Sequence, residues 1–279
     1  IIKTDNDKII VIDGGTSDDT ENLLQKINEY TGKVDYWFIT HPHQDHATAF
    51  IEIVNNYNID IGKVYVTTED EEWYNNYGDG RADECIRFLD TIKSEKISSK
   101  VEEVTLNEQI QIDNIKCEIL GIKNPEITKN AINNSSMVIK METKKNSILF
   151  LGDTGVESGN KLLDNQKEKL KVNILQMAHH GQQGVSKEIY EYINNVKIVK
   201  AFRDQHFKVK NYRIFDMAAW NIGKARSHTN IDYLGVLDYL DNNRELPYKN
   251  PETAGLDALE KERLLGIKAR GQAAVVEMK

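Results

Sequence analysis

Residues 40–46 read T-H-P-H-Q-D-H, directly after the apolar run V-D-Y-W-F-I at 34–39. Three of the chain's seven histidines therefore crowd around one carboxylate just past the end of a predicted strand. Ordering so many titratable groups in one loop is costly unless something compensates them. Neutral imidazole and carboxylate are common ligands of divalent cations. His41 and His43, two apart on an extended segment, present their rings to one side, and Pro42 stiffens the backbone between them. Asp45 and His46 follow at the turn into a predicted helix, so one short loop can serve two ions side by side. The plain alternative, a polar loop whose histidines only hydrogen-bond, leaves the crowding unexplained.

The same grammar recurs along the chain. A strand over Lys8 to Ile12 ends in Asp13-Gly14-Gly15. A hairpin, Met137 to Lys140 and Ile148 to Leu151 around the turn K-K-N, ends in Gly152-Asp153. A strand over Val172 to Met177 ends in His179-His180-Gly181. Ionisable residues at the carboxyl ends of strands are where layered α/β proteins build their sites, because those ends are rigid and open to a crevice. Between them, Ser17 and Asp18 can cap a helix with Leu23, Leu24 and Ile27 as its apolar stripe. Phe50, Ile51 and Val54 suit the inner face of another helix, and Ile86 to Ile92 suit a third. Val64 to Val66 reads as a strand, and Val101 to Leu120 as antiparallel strands. The stretch T-T-E-D-E-E-W-Y-N-N-Y-G-D-G at 67–80 reads as a polar loop. Its Trp73, Tyr74 and Tyr77 either stack on a substrate or are ordinary aromatic residues of a flap.

The 279 residues suit one large domain or one domain with an appendage. A formal net charge of -8 disfavours a general nucleic-acid binder without excluding local contacts to nucleic acid. No apolar run approaches the ~20 residues of a membrane span. Cys85 and Cys117 make neither a metal-type pair nor a disulfide framework. The sequence begins at Ile1 rather than at a methionine, which leaves the compartment, cytoplasmic or secreted, open. Beyond about residue 200 the texture changes to basic and aromatic residues and then to an Ala/Leu/Glu/Lys segment after Asn250-Pro251. The predicted division is a main domain over 1–202 and an appended segment of unknown role over 203–279. Neither G-x-S-x-G nor G-x-x-x-x-G-K-[ST] occurs.

Taken together, HxHxDH after a strand, V-I-D-G-G at 11–15, L-F-L-G-D-T-G at 149–155 and L-Q-M-A-H-H-G at 175–181 resemble the metallo-β-lactamase superfamily. Within it, N-N-S-S-M-V-I-K at 133–140 and the paired A-H-H-G most resemble the hydrolase domain of ComEC-type DNA-uptake channels, and phosphorylcholine esterases of the same fold are similar. The resemblance covers roughly residues 1–200. It implies an α/β fold: a four-layer αββα sandwich of two mixed sheets face to face with helices outside. It further implies that His41 and His43 hold a first metal and Asp45 and His46 a second. Asp153 would bridge the two ions, and His179 or His180 would complete the second site. Asp13 would stand behind the cluster and orient a ligand. Zinc, one or two ions, is the expected metal, with manganese as the alternative. Two such ions acidify a shared water, and Asp45 and His180 are the catalytic candidates, Asp45 as acceptor of the water's proton.

Two departures qualify the resemblance. No histidine lies between His46 and His179, where many members place another first-site ligand. The N-N-S-S segment stands there instead, so Asn134, Ser135 or Ser136 is expected to approach the metal directly or through water, or else to form an ordinary strand-entry turn. The closing strand of ComEC-like domains is replaced by V-K-I-V-K-A-F-R-D-Q-H-F, with His206 and His228 as the spare histidines. Lys208, Lys210 and Arg213 there are weak candidates for holding a phosphate. The expected activity is hydrolysis of a phosphodiester. Hydrolysis of a carboxylic ester, lactone or thioester in a small molecule is the alternative, and a non-catalytic metal-binding module is the alternative of another class.

Overall fold

Strands β1 (Ile2–Lys3) and β2 (Ile9–Ile12) open the chain as an antiparallel pair. In β2, Ile9 and Val11 belong to one apolar cluster and Ile10 to another, so the strand carries a core on each face. The same alternation recurs in β3 (Lys33–Phe38) and β4 (Asp60–Val66), where Trp37, Val64 and Val66 face one side and Phe38 and Tyr65 the other. A strand buried on both faces must lie in the middle of a layered structure. These strands do.

The computed structural model describes residues 1–181 and 184–193, together with the backbone of the short strand Val276–Glu277. One sheet has the order β11-β1-β2-β3-β4-β5, with β5 at Val101–Glu103 and β11 at Val276–Glu277. The other has the order β10-β9-β8-β7-β6, built from β6 (Gln109–Ile112), β7 (Ile115–Gly121), β8 (Val138–Glu142), β9 (Ser147–Phe150) and β10 (Ile174–Gln176). β2, β3, β4 and β5 run parallel, while β6 to β9 form an antiparallel meander to which β10 adds in parallel. The sheets meet through Ile10, Phe38 and Tyr65 on one side and Ile112, Ile119, Ile139, Met141 and Ile148 on the other.

Helices cover both outer faces. α1 (Thr20–Tyr30), α2 (Gln44–Asn56), α3 (Glu71–Tyr77) and α4 (Ala82–Lys93) pack on the first sheet through Leu23, Ile27, Phe50, Ile53, Phe88 and Leu89. A short α5 (Ala131–Asn134) follows β7. α6 (Val156–Gln166) and α7 (Lys187–Tyr192) cover the second sheet, with Leu162 and Ile189 against Leu149, Leu151 and Leu175. This is the expected four-layer αββα sandwich. Among the described residues no helix is long and apolar enough to cross a membrane.

Three local expectations change. Val101 to Leu120 is not one antiparallel run. β5 joins the first sheet parallel to β4, and only β6 and β7 form a hairpin in the second. A 3-10 turn, Ser17–Asp19, precedes α1: Thr16 N–H and hydroxyl both donate to Asp19 Oδ2 at 2.8 Å, and α1 starts after Asp19 without a side-chain cap from Ser17 or Asp18. The stretch at 67–80 contains α3, capped by Asp70 through Trp73 N–H at 2.8 Å. Trp73 and Tyr74 are buried there, Trp73 Nε1 donating to the Pro125 carbonyl at 3.0 Å, so neither is a stacking surface. The expectations for the appended segment up to residue 275 and for its Lys/Glu-rich helix, including His206, His228, Lys208, Lys210 and Arg213, lie outside the described residues.

Candidate metal centre

The loops that leave the carboxyl ends of β2, β3, β9 and β10 meet at one edge of the sandwich. Asp13, after β2, is held from behind: its N–H donates to the Phe38 carbonyl at 2.8 Å, and Trp37 Nε1 donates to its carbonyl at 3.0 Å. Trp37 is fully buried and meets the Phe50 ring edge-on with centroids 5.0 Å apart, so the hydrophobic core itself fixes where Asp13 stands. The backbone of Asp13 is left-handed, φ 55°, which turns its carboxylate back toward Thr40.

That carboxylate organises two of the histidines. Asp13 Oδ1 accepts from Thr40 N–H at 2.7 Å, and Oδ2 accepts from the Thr40 hydroxyl at 2.8 Å. Because the hydroxyl proton goes to Asp13, Thr40 Oγ1 is left to accept from His41 Nδ1–H, 3.1 Å away. Nε2 of His41 then carries its lone pair into the site. Asp13 Oδ2 also lies 2.8 Å from His46 Nδ1, which directs His46 Nε2 inward as well.

The inward-facing atoms are close together. His41 Nε2 is 3.1 Å from His43 Nδ1 and 3.9 Å from Asp153 Oδ2. His46 Nε2 is 3.3 Å from Asp153 Oδ1 and 3.3 Å from His180 Nε2. His180 Nε2 is in turn 3.3 Å from Asp45 Oδ2 and 3.4 Å from Asp153 Oδ2. Two overlapping groups of donors result, His41 with His46 and Asp153, and Asp45 with His46 and His180, each with its ligand atoms within 4.8 Å of one another.

Electrostatics show the tension in this cluster. Burial, together with the charge on His46, pulls the pKa of His41 well below the imidazole range. The same causes bring His43 down to about 4, with the Arg81 guanidinium adding to the effect. For His46, burial opposes the charge, yet the Asp153 and Asp13 carboxylates hold it protonated well above the usual value. Burial would raise Asp153 and Asp45, but His46 and His180 keep both ionised well below the carboxylate range. Asp153 is nevertheless unsatisfied: its Oδ1 is buried and accepts no hydrogen bond. A buried carboxylate oxygen without a donor, ringed by imidazole nitrogens whose other faces are pinned, fits a divalent cation.

The structure distinguishes residues that the sequence leaves together. His180 is 5% exposed and sits among Asp45, His46 and Asp153, whereas His179 is about a third exposed and reaches only Asp153, at 3.9 Å. Both adopt left-handed backbone, φ 50° and 54°, and this turn swings the second imidazole inward. His43, expected beside His41, neighbours it but stands outside both donor groups.

The N-N-S-S segment divides between the two expectations, Asn134 and Ser135 being built into local structure while Ser136 approaches the centre. Asn134 is fully buried, with Oδ1 accepting from Ser158 N–H at 3.1 Å and Oγ–H at 2.9 Å, and Nδ2 donating to the Lys129 carbonyl at 2.9 Å and Glu157 Oε2 at 3.1 Å. Its amide has no capacity left for a metal. Ser135 Oγ accepts from Asn124 N–H at 3.1 Å. Ser136 is the member that reaches the centre, its Oγ accepting from Asp153 N–H at 3.1 Å. Thr40 and Gln176 also support the site. Gln176 Oε1 accepts from Leu151 N–H at 2.8 Å and Gly152 N–H at 2.9 Å, which sets the turn that presents Asp153. Thr40 was visible as the residue before the first histidine, whereas nothing in L-Q-M-A marks Gln176.

Residues 1–206 match the sequence profile described as the metallo-beta-lactamase superfamily. The chain belongs to that superfamily. It is 22% identical over 192 residues to "ComE operon protein 3" of Bacillus subtilis, covering 66% of this chain and 22% of that protein. The chain thus spans about a fifth of that relative. Among solved structures, Zn(2+)-bound PqqB from Methylobacterium extorquens is similar at 11% identity, with a TM-score of 0.42 over 63% of this chain and 57% of that one. CmlA, a diiron beta-hydroxylase from Streptomyces venezuelae, is similar at 17% identity, with a TM-score of 0.35 over 54% of this chain and 26% of that one.

Proposed function

We propose that this member of the superfamily is a metal-dependent hydrolase that cleaves phosphodiesters. The observation that carries the reading is the pair of donor groups, His41–His46–Asp153 and Asp45–His46–His180, which share His46 and bring ligand atoms within 4.8 Å. His41, His43, Asp45, His46, Asp153 and His180 would hold one or two divalent cations, zinc or manganese, with Asp153 between them. Such ions supply an acidified water and a Lewis acid for the oxygens of the substrate. Asp13 and Thr40 orient the rings of His41 and His46 so that both Nε2 atoms face the ligand side, where a cation would take the place of the His46 proton. Asp45, a quarter exposed and ionised, is placed to take the proton of an attacking water. The resemblance of N-N-S-S-M-V-I-K and A-H-H-G to ComEC-type hydrolase domains favours a phosphodiester over a carbonyl substrate.

The test is metal analysis of the purified protein followed by turnover of bis(p-nitrophenyl) phosphate in zinc and in manganese, beside a panel of neutral esters, lactones and thioesters. Turnover of the diester with one or two bound ions is expected. Activity confined to the neutral panel would replace the substrate class, and a protein that binds no ion would remove the hydrolase reading.

A further inference from the structure

A phosphodiester is an anion, and this chain carries 44 Asp and Glu against 36 Lys and Arg. An acidic protein that takes an anionic substrate needs a local cation at the mouth of its site. The turn between α3 and α4 offers one. Asp79 and Gly80 are consecutively left-handed, φ 51° and 79°, and Arg81 N–H closes the turn on the Gly78 carbonyl at 2.8 Å. Asp79 Oδ2 accepts from Ala131 N–H at 3.3 Å, which fastens the turn to α5. On its other side, Glu84 Oε2 accepts from the N–H of Gln44 at 3.1 Å, and Gln44 immediately follows His43. The head of α4 is thereby tied to the head of α2, with Arg81 at the junction.

The Arg81 guanidinium approaches Glu84 only to 4.0 Å, too far for a hydrogen bond, and its side chain is 47% exposed. A side chain added at Gly80 would meet nothing within 4 Å, so the turn borders open space.

We propose that Arg81 binds the anionic oxygens of the substrate at the His41–His43 side of the centre and so selects a phosphodiester over a neutral ester. The proposal rests on the phosphodiesterase reading above. A planar guanidinium matches two phosphate oxygens at once, a geometry that the point charge of a lysine does not reproduce.

The test compares wild type, Arg81→Ala and Arg81→Lys, all metal-loaded. Equilibrium binding of dimethyl phosphate is measured by titration calorimetry alongside the kinetics of bis(p-nitrophenyl) phosphate and p-nitrophenyl acetate. Arg81→Ala is expected to weaken dimethyl phosphate binding and raise KM for the diester by about 10- to 100-fold, leaving bound metal and neutral-ester turnover unchanged. Arg81→Lys is expected to recover part of the loss. Equal dimethyl phosphate affinity in wild type and Arg81→Ala overturns the proposal, as does a wild type that binds no dimethyl phosphate. Phosphate binding that depends on Arg81 in a protein without diester turnover would count against the hydrolase reading while leaving the anion site standing.

Discussion

Oδ2 of Asp13 lies 2.8 Å from His46 Nδ1 and 2.8 Å from the hydroxyl of Thr40, which in turn meets His41 Nδ1 at 3.1 Å. One carboxylate outside both donor groups therefore sets the tautomer of a histidine directly and of another through a hydroxyl. Asp13→Asn can donate where Asp13 accepts, and it removes the charge that steadies His46. Zinc affinity is expected to fall about 10- to 100-fold, read by competition with a chromophoric chelator, with the far-ultraviolet spectrum unchanged.

Asp153 belongs to the first donor group, and its Oδ2 lies 3.4 Å from His180 Nε2 of the second. Asp153→Asn preserves its shape and backbone hydrogen bond to Ser136 but removes the charge that offsets a cation. At least one equivalent of bound ion is expected to be lost on gel filtration, with a fall of about 100-fold or more in any hydrolytic activity. Full metal content and rate in this variant would contradict a bridging role.

Asn134 gives the opposite pattern. Its amide joins α5 to the head of α6 through three hydrogen bonds, with a fourth to the Lys129 carbonyl, and none of the four goes to a clustered donor. Asn134→Ala leaves Ser158 without its acceptor and is expected to cost about 2–4 kcal/mol in urea denaturation. Metal stoichiometry of the folded protein should be unchanged. A selective loss of metal would restore the ligand role that the sequence suggested.

Acid should destabilise the chelator-treated protein before ordinary carboxylates titrate. Burial brings His43 down to about 4 in the folded chain against 6.5 for an ordinary imidazole, so between those values the unfolded chain binds the extra proton. Its contribution to stability is complete above pH 6.5 and is lost as pH falls through 4, up to about 3 kcal/mol in all. Denaturation midpoints at pH 7, 5.5 and 4.5 measure this, and His43→Gln should flatten the slope.

Cys85 and Cys117 are completely buried, and burial pushes both thiols up to about 12. Neither should react with a disulfide reagent at pH 8 in the folded protein, and both should react in denaturant.

The sandwich was legible through the family resemblance, and its central strands were legible as apolar runs; that Ile9-Ile10-Val11 and Trp37-Phe38-Ile39 carry a core on each face is what the structure adds. The donors were legible because histidine is scarce and its spacing after a strand is unusual. What stayed hidden depends on partners distant in sequence. The fate of Asn134 was decided by Ser158, and the choice between His179 and His180 by two left-handed residues that no propensity predicts. Helix α3 was missed because its polar residues mask the single cap at Asp70, and the aromatic pair that looked like a binding face is core. β5 was misplaced because three residues of strand do not announce which sheet they join.

His41 and His46 issue from β3 in one sheet, whereas Asp153 and His180 follow β9 and β10 in the other. An ion gripped by all of them is a clasp across the mouth of the sandwich, and part of its binding free energy is expressed as cohesion between the layers. The linkage runs both ways. A truncation deep between the sheets, at Phe38 or Ile139, would slacken such a clasp without touching it, and metal affinity at the rim would then depend in part on packing in the interior.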